Sequence, residues 1–430
     1  MRGACDAGDL TRAALAPAPY ATAALAIGKA ARPMLRAAAD VLDLSAAFSL
    51  TVGPPEASEW PHLTADHPVP TERNVLAAMR TLDVVRTLRA LDRAPERLLV
   101  LLSGGASALL TSPADGLTLD DISAVTRALL RAGAPIDELN TVRKHVERLK
   151  GGRFAAELPD GMHADVLVLS DVIGDRLDVV GSGPFAHDPS TYGDALAVLD
   201  RRSARQAAPA VTRFLEAGAR GEHPETAKPG NPAFERVRHA VIGSNRTAAE
   251  AAERAAVRLG FRVAHLELEV VGEAAREGRR LASLALEHAR DAGPSAIILG
   301  GETTVTVGGA AGVGGRNQEL ALAAAIELER AGNRAAERAG MAAVQAPRVA
   351  VASFATDGVD GPTDAAGAIA TDETCGLARS LGLHPEAALA GHDSHSFFAA
   401  LDRAGHPHLI RTGPTGTNVN DIAVALVYPP

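Results

Sequence analysis

Cysteine, tryptophan and lysine are scarce in this chain of 430 residues, and no long apolar run interrupts it. The two cysteines, Cys5 and Cys375, lie far apart, which excludes a disulfide framework and a cysteine-rich zinc site. No segment reaches the roughly 18 consecutive apolar residues that predict a membrane-spanning helix. Because scarce cysteine is typical of proteins from a reducing compartment, we expect a cytoplasmic protein that does not span a membrane.

An excess of positive charge is also missing. The 43 basic residues are outnumbered by 52 acidic residues, for a net charge of −9. A mildly acidic protein has no general attraction to nucleic acid or to an anionic membrane surface, so neither is an expected partner. An anionic ligand would therefore need a local cluster of cations. Only four of the basic residues are lysines, which draws attention to each lysine position.

Short apolar segments alternate along the chain with alanine-rich segments of helical periodicity. Several apolar segments end in Gly, Ser or Asp and are followed directly by a helical pattern, which indicates strands that lead into helices. The predicted strands are residues 22–27, 97–102, 165–169, 240–242, 295–299 and 348–354. This alternation predicts an α/β protein with mainly parallel sheets, whose ligands bind beyond the carboxyl ends of the strands.

A stretch rich in proline and glycine divides the chain. Residues 220–234 read RGEHPETAKPGNPAF, which has no apolar periodicity and is typical of a loop or linker. We therefore predict two domains, residues 1–234 and residues 235–430. The candidate functional residues fall on both sides of this boundary.

Two glycine-containing turns follow predicted strands in the first domain. The segment LLSGGASALL includes Ser103, Gly104, Gly105, Ala106 and Ser107. A phosphate-binding loop and an ordinary strand–helix turn both fit this segment. The segment AIGKA places Lys29 at the start of a predicted helix, where the helix dipole opposes a cation. A bound anion would explain a lysine at this position, and exposure to solvent is the alternative.

A basic segment and an acidic segment follow in the same domain. The basic segment contains Arg143, Lys144 and His145, which fit the binding of an anionic substrate or a basic surface helix. In the acidic segment, Asp171 follows the predicted strand at 165–169 and is a candidate general base or Mg²⁺ ligand. Asp175 is the alternative to Asp171 as a metal ligand.

The second domain carries further glycine-rich segments. In GGRNQE, the guanidinium of Arg316 fits a carboxylate or phosphate, and Asn317 is a candidate substrate-binding residue. In ATDGVDGPTD, Asp357 is the candidate metal ligand, with a turn-forming role as the alternative. The first domain also contains GSGPFA, which matches the dinucleotide-binding pattern GxGxxA only formally, because Pro184 lies inside the loop.

Together these segments resemble the class II glycerate 2-kinases, which carry a MOFRL domain in their C-terminal part. The matching segments, in the order of the family, are AIGKAA, HPVPTERN, LLSGGASALL, LNTVRKH, KGGR, VLSDVIGD, VGSGP, VIGSNR, GGETTVTV, GGRNQE, ATDGVDGPTDAAGA, HDSHSFF and TGPTGTNVND. The resemblance implies two domains: a Rossmann-like α/β/α N-terminal domain and a smaller α/β C-terminal domain. It further implies a MOFRL region over residues 295–428 and an active site between the two domains.

The resemblance also implies a reaction. It implies that ATP phosphorylates the 2-hydroxyl of glycerate with Mg²⁺ or another divalent cation, and that Lys29, Asp171 and Arg316 are the active-site residues. Two other functions stay open: an NAD(P)H-dependent hydroxypyruvate reductase, indicated only by GSGPFA, and a non-catalytic sensor of a sugar acid or nucleotide. We expect a monomer or a homodimer with a small-molecule substrate.

Overall fold

The computed structural model describes residues 5–15, 23–53, 60–90, 95–289, 293–309, 312–339 and 348–428. These residues form two compact units, one comprising Ala7–Ile242 and the other comprising residues 243–428 together with residues 5 and 6. Each unit contains a six-stranded sheet with helices packed on it, which confirms the predicted α/β class. The predicted domain boundary after residue 234 precedes this division by one strand, and it stays a prediction.

Strands and helices alternate along most of the chain. The strands are β1 (Ala23–Ile27), β2 (Ala46–Thr51), β3 (His62–Thr64), β4 (Arg97–Ser103), β5 (His163–Leu169), β6 (Val237–Gly243), β7 (Arg262–Glu273), β8 (Ser295–Thr304), β9 (Arg348–Ala355), β10 (Gly367–Thr371), β11 (Leu409–Ile410) and β12 (Asp421–Tyr428). The α-helices are α1 (Ala7–Leu15), α2 (Ala31–Ala39), α3 (Glu72–Thr87), α4 (Ala106–Leu109), α5 (Leu119–Arg131), α6 (Ile136–Val146), α7 (Arg153–Ala156), α8 (Tyr192–Arg201), α9 (Pro209–Ala219), α10 (Asn245–Arg258), α11 (Ala274–His288), α12 (Arg316–Ala339), α13 (Thr374–Ser380), α14 (Pro385–Ala390) and α15 (Ser394–Arg403). All six predicted strands are present, and five of them are longer than predicted; residue 22 of the other lies outside the described residues.

The sheet of the first unit has the strand order β3-β2-β1-β4-β5-β6. The first five strands in this order are parallel to their neighbours. This order is that of the Rossmann fold, in which the chain proceeds from β1 toward one edge and from β4 toward the other. The predicted Rossmann-like domain is therefore confirmed. Ligands of such sheets bind beyond the carboxyl ends of the two central strands, here β1 and β4.

The strands that lead into this region are anchored in an apolar core. β1 is buried along its whole length, and β4 and β5 are buried after their first residue. Strands buried on both faces read as continuous apolar segments, which is why the sequence pattern located them. The side chains of Ile27, Leu102 and Val168 belong to one core cluster, in which Phe154 and Phe185 stack with ring centroids 5.0 Å apart. The turns after β1, β4 and β5 therefore begin at positions that the apolar core holds fixed.

The sheet of the second unit is mixed. Its order is β11-β10-β9-β12-β8-β7, and only β7 and β8 are parallel among its neighbouring pairs. The prediction of mainly parallel sheets is therefore wrong for this unit. The turn between β9 and β10 contains no crossover helix, so these adjacent strands must run antiparallel. The last strand, β12, inserts between β8 and β9 and is antiparallel to both.

The two cysteines are free thiols and both are buried. Burial raises the pKa of the Cys375 thiol to about 12, so this side chain is not a thiolate at neutral pH. Among the helices that the structure describes, none is long and apolar enough to cross a membrane.

Candidate active site

The turn after β1 is built around a glycine that closely approaches Ser103. Gly28 has φ +127°, and a Cβ placed on it would lie 2.2 Å from Ser103 Oγ, so the turn requires glycine. The backbone N–H of Lys29 donates to the carbonyl oxygen of Gly104 at 2.9 Å. The backbone N–H of Ala30 donates to Ser103 Oγ at 3.1 Å. These bonds hold the Lys29 turn directly against residues 103–107, named the SGGAS turn below.

Three polar side chains surround the two glycines of the SGGAS turn. A Cβ on Gly104 would lie 2.0 Å from Oδ2 of Asp171. A Cβ on Gly105, which has φ +85°, would lie 3.1 Å from Cγ of Lys29 and 3.3 Å from Cδ2 of His67. The structure therefore brings two predicted site residues, Lys29 and Asp171, to the same predicted phosphate-binding turn. They meet at the carboxyl ends of β1, β4 and β5, where a Rossmann-type sheet binds its ligand.

His67 is a candidate functional residue that the sequence analysis missed. Burial, together with the charge of Lys29, lowers the pKa of the His67 imidazole, which is therefore neutral at pH 7. The segment after β3 that carries His67 is fixed by Asn74, whose Nδ2 donates to the carbonyl oxygens of Asp66 at 2.8 Å and Ala108 at 2.9 Å. The motif HPVPTERN was part of the family resemblance, and it was the signal that could have directed attention to this histidine.

The ammonium of Lys29 differs from that of the other lysines. Lys144, Lys150 and Lys228 each form an ion pair with a carboxylate. Within the described ranges of the chain, Lys29 has no carboxylate partner within 4.0 Å. A cation without such a partner, half-buried at a glycine turn, is available to an anionic ligand.

A pair of hydroxyl groups joins three of the predicted motifs. Ser107 Oγ and Ser182 Oγ are 2.6 Å apart, and Ser182 Oγ donates to Oδ1 of Asn140 at 3.1 Å. Nη2 of Arg143 donates to the carbonyl oxygen of Ser107 at 3.3 Å. Of the three predicted basic substrate-binding residues, Arg143 is thus placed at the SGGAS turn.

The other two residues of that basic segment take part in buried contacts. The ammonium of Lys144 lies 3.2 Å from Oδ2 of Asp178 and 3.5 Å from Oδ1 of Asp188. Nε2 of His145 lies 3.1 Å from Glu225 Oε2, and burial lowers the pKa of this imidazole. The charge of Lys144 is therefore matched by protein carboxylates. Substrate binding by Lys144 and His145 stays a prediction.

The three predicted metal ligands do not form one described cluster. Within the residues described, no group of three or more His, Cys, Asp or Glu side chains could hold a metal ion. Asp171 and Asp175 follow β5 in the first unit, whereas Asp357 belongs to the second, where its Oδ1 accepts the N–H of Val359 at 3.0 Å. Because Mg²⁺ is commonly bound by one or two carboxylates plus substrate phosphates, Asp171 beside the predicted phosphate-binding turn fits that mode, and metal binding stays a prediction.

In the second unit, Arg316 pairs with two carboxylates at the start of α12. Its Nη1 lies 2.8 Å from Glu302 Oε1, and its Nη2 donates to Asp421 Oδ1 at 3.0 Å while Nε donates to Oδ2. Burial raises the pKa of Asp421 to about 6, although the pairing with Arg316 opposes this rise. One third of the Arg316 side chain is exposed, and its charge is matched by these two carboxylates. A contact between Arg316 and a ligand stays a prediction.

The first turn of α12 is held by Asp360 from the ATDGVDGPTD motif. Its carboxylate accepts the backbone N–H and the side-chain amide of both Asn317 and Gln318. Ser353 Oγ also donates to Asn317 Oδ1 at 2.6 Å, and Asn317 is buried. These bonds position the helix that begins at Arg316. A direct contact between Asn317 and substrate stays a prediction.

A cavity of about 490 Å³ lies in the second unit, a volume within the usual range of small-molecule pockets. Its walls are formed by Cys5, Asp6, Phe354, Ala355, Thr356, Ile369, Ile410, Thr412, Pro414, Thr415 and Thr417. The segment TGPTGTNVND thus forms one wall, but Arg316, Asn317 and Asp357 do not line the cavity. The volume of this cavity therefore does not by itself indicate where the predicted catalytic residues lie.

Comparison with known proteins identifies relatives of this chain. A family described as a domain of unknown function (DUF4147) matches residues 9–216, and the MOFRL family matches residues 295–421. The glycerate 2-kinase of Pyrococcus horikoshii is 37% identical over 94% of this chain and 86% of that protein. A putative hydroxypyruvate reductase of Agrobacterium vitis is 39% identical over 85% of this chain and 77% of that protein. The crystal structure of glycerate kinase from Thermotoga maritima has a TM-score of 0.84 at 36% identity, covering 99% of this chain and 96% of that chain.

The Rossmann-type sheet, its glycine turns and the MOFRL region define a two-domain α/β protein of the kinase class. The chain belongs to the class II glycerate 2-kinase family that carries a MOFRL domain. The family resemblance inferred from the sequence motifs is thereby confirmed.

Proposed function

We propose that this protein is a glycerate 2-kinase, an enzyme that transfers the γ-phosphoryl group of ATP to the 2-hydroxyl of glycerate. Family membership supports the reaction. Within the structure, the proposal is carried by one observation: Lys29 and Asp171 meet the SGGAS turn beyond the two central strands of the sheet. A cation, a carboxylate and a close-approach backbone turn are the groups that phosphoryl transfer requires.

In the proposed reaction, the 2-hydroxyl oxygen of glycerate forms a bond to the γ-phosphorus while the bond to the β,γ-bridging oxygen breaks. The hydroxyl proton leaves to a base, and ADP retains the bridging oxygen. Because negative charge spreads over the transferring oxygens, a positioned cation lowers the barrier. We assign Lys29 and Arg316 to the stabilisation of the phosphoryl group or the glycerate carboxylate. The expectation that both domains contribute to one active site stays a prediction.

The SGGAS turn is the proposed site for the phosphates of ATP. Gly104 and Gly105 allow a ligand to approach the backbone, whose N–H groups attract anions. The role of Ser103 is to hold the SGGAS turn against the Lys29 turn, because its Oγ accepts the backbone N–H of Ala30. Ser107 carries the hydroxyl that pairs with Ser182.

A divalent cation, Mg²⁺, is part of the proposal, and Asp171 would hold it together with the phosphates of ATP. When bound, such an ion neutralises charge on the phosphates. Asp171 also fits the role of proton acceptor, and the variant Asp171→Asn separates the two roles. Loss of a metal ligand should raise the Mg²⁺ concentration needed for half-maximal activity. Loss of the base should lower kcat even at saturating Mg²⁺.

Hydroxypyruvate reduction is the second candidate, favoured by the similarity to the hydroxypyruvate reductase of Agrobacterium vitis. A reductase of this class would need a dinucleotide loop that leads from a strand directly into a helix. In GSGPFA, Gly181, Ser182 and Gly183 have positive φ, and α8 begins only at Tyr192. The kinase is therefore better supported. Oxidation of NADH or NADPH by hydroxypyruvate in the presence of the protein, without phosphorylation of glycerate, would reverse this choice.

We further propose that the enzyme acts in the cytoplasm on a small molecule, as a monomer or homodimer. The two buried free thiols and the net charge of −9 support a reducing compartment and argue against a nucleic-acid partner. Size-exclusion chromatography with light scattering determines the oligomeric state.

A further inference from the structure

Lys150 is a fully buried lysine at the far end of the SGGAS turn. Its ammonium lies 2.7 Å from the carbonyl oxygen of Ser107, 3.4 Å from that of Leu110 and 2.9 Å from Glu147 Oε2. An ammonium has three protons to donate, and each has an acceptor here. Because Lys150 and Glu147 are both 0% exposed, neither side chain can contact a substrate.

The two carbonyl groups that Lys150 contacts belong to Ser107, the second residue of α4, and to Leu110, which follows the helix. This helix has only four residues, and among the described residues neither of these two carbonyl oxygens accepts a backbone N–H. A cation at a helix C-terminus satisfies such groups and matches their partial negative charge. Lys150 therefore stabilises the end of the helix whose beginning, at Gly105, faces Lys29 and His67.

Glu147 and Arg143 extend this contact into a small charged network. Glu147 Oε2 accepts the backbone N–H of Ser112 at 3.2 Å, which fixes the chain just after α4. Arg143 donates to the same Ser107 carbonyl oxygen, and its Nε lies 3.5 Å from Glu147 Oε1. Two cations, Arg143 and Lys150, thus share the Glu147 carboxylate. The network holds Ser107 by its carbonyl oxygen, while the Ser107 hydroxyl contacts Ser182.

We propose that Lys150 is a positioning residue for nucleotide binding: its buried ammonium holds the C-terminal end of α4, so that the SGGAS turn keeps the conformation that receives phosphates. The inference rests on the proposed function, because it assumes that the turn binds the phosphates of ATP. It predicts an effect on nucleotide affinity from a residue that cannot touch the nucleotide.

The choice of variants follows from the burial of the ion pair. Lys150→Met alone would leave the buried Glu147 carboxylate with only its longer contact of 3.5 Å to Arg143 and could prevent folding. The double variant Glu147→Gln/Lys150→Met removes both charges and avoids this problem. Lys228→Met is the matched control, because Lys228 also pairs with a carboxylate, Glu225, and bonds the backbone carbonyl oxygen of Ser190.

The experiment measures ADP affinity by equilibrium titration and KM for ATP and for glycerate by steady-state kinetics, with circular dichroism and melting curves as folding controls. We expect the folded double variant to bind ADP about 10-fold or more weakly and to show a similar rise in KM for ATP, as loss of a positioning contact typically does. KM for glycerate and the behaviour of Lys228→Met should stay at the wild-type level. A folded double variant with wild-type ADP affinity would overturn the proposal.

A second measurement, the pH dependence of ADP affinity, needs no further variant. Burial lowers the pKa of Lys150 to about 8. The positive charge of Arg143 contributes to this lowering, whereas the negative charge of Glu147 opposes it. Wild-type ADP affinity should therefore decline as the pH rises through this value, and the decline should be absent in the double variant. An affinity that is constant from about pH 7 to pH 9.5 in the wild type would contradict the proposal. Wild-type protein that binds ADP but leaves glycerate unphosphorylated would overturn the proposed function, whereas the titrations would still test Lys150.

Discussion

Replacement of Lys29 by alanine tests the role of the one lysine without a carboxylate partner among the described residues. Two unit charges about 4 Å apart near a protein surface interact with about 4 kcal/mol. In the transition state that energy corresponds to about a 10³-fold effect on rate. We therefore expect Lys29→Ala to lower kcat/KM by about 10²- to 10⁴-fold.

The same variant should leave the fold nearly unchanged. Lys29 bonds to the SGGAS turn through its backbone N–H, which donates to the carbonyl oxygen of Gly104 and which alanine retains. Lys29→Arg should restore little activity, because a planar guanidinium does not replace a compact ammonium beside Gly105 and His67.

Steady-state kinetics of Lys29→Ala and Lys29→Arg, beside their melting curves, check these expectations. Arg36→Ala is the matched control, because Arg36 is an exposed cation on the helix that follows Lys29. Full activity of a folded Lys29→Ala variant would refute the reasoning and leave Lys29 as an ordinary surface lysine.

Three further predictions concern two carboxylates, Asp171 and Asp421, and one glycine, Gly104. Asp171→Asn should lower kcat by about 10²-fold or more in a folded protein, and near-normal turnover would transfer its role to Asp175. Gly104→Ala should also lower kcat, because the new Cβ would lie 2.0 Å from Asp171 Oδ2 and displace that carboxylate, whereas Gly376→Ala, where a Cβ meets no atom within 4 Å, should be fully active. The raised pKa of Asp421, about 6 against an ordinary 3.8, means that the folded state binds a proton more tightly than the unfolded state. The contribution of Asp421 to stability should therefore be fully present below about pH 4 and be lost as the pH rises through 6, and denaturant titrations of Asp421→Asn should not show this loss.

Much of the site in the first unit could be predicted from the sequence. Strands β1, β4 and β5 are buried on both faces and read as continuous apolar segments, so the small or polar residues after them were recognisable. Parallel strands place their carboxyl ends at one edge, which brings Lys29, Gly104 and Asp171 together. The glycine requirement at Gly28 was not visible, because it arises from the approach of Ser103.

Other contacts depend on pairings distant in sequence. His67 lies near Lys29 although it belongs to the segment after β3. No pattern in the sequence around either residue predicts that the two are close. Lys150 lies in a basic segment that reads as a surface helix, yet its charge is buried against Glu147. Likewise β12 pairs with strands far earlier in the chain, so the mixed order of the second sheet was not predictable from alternating strands and helices.

The central claim, phosphorylation of glycerate at its 2-hydroxyl, is tested most directly by a coupled assay with ATP, Mg²⁺, D-glycerate and enolase. Enolase consumes 2-phosphoglycerate directly, so the assay reports both phosphoryl transfer and the hydroxyl that receives it. The account predicts ATP-dependent formation of phosphoenolpyruvate by the wild-type protein and its near-complete loss in Lys29→Ala. No product from a folded wild-type protein, or product only after a phosphoglycerate mutase is added, would contradict the claim.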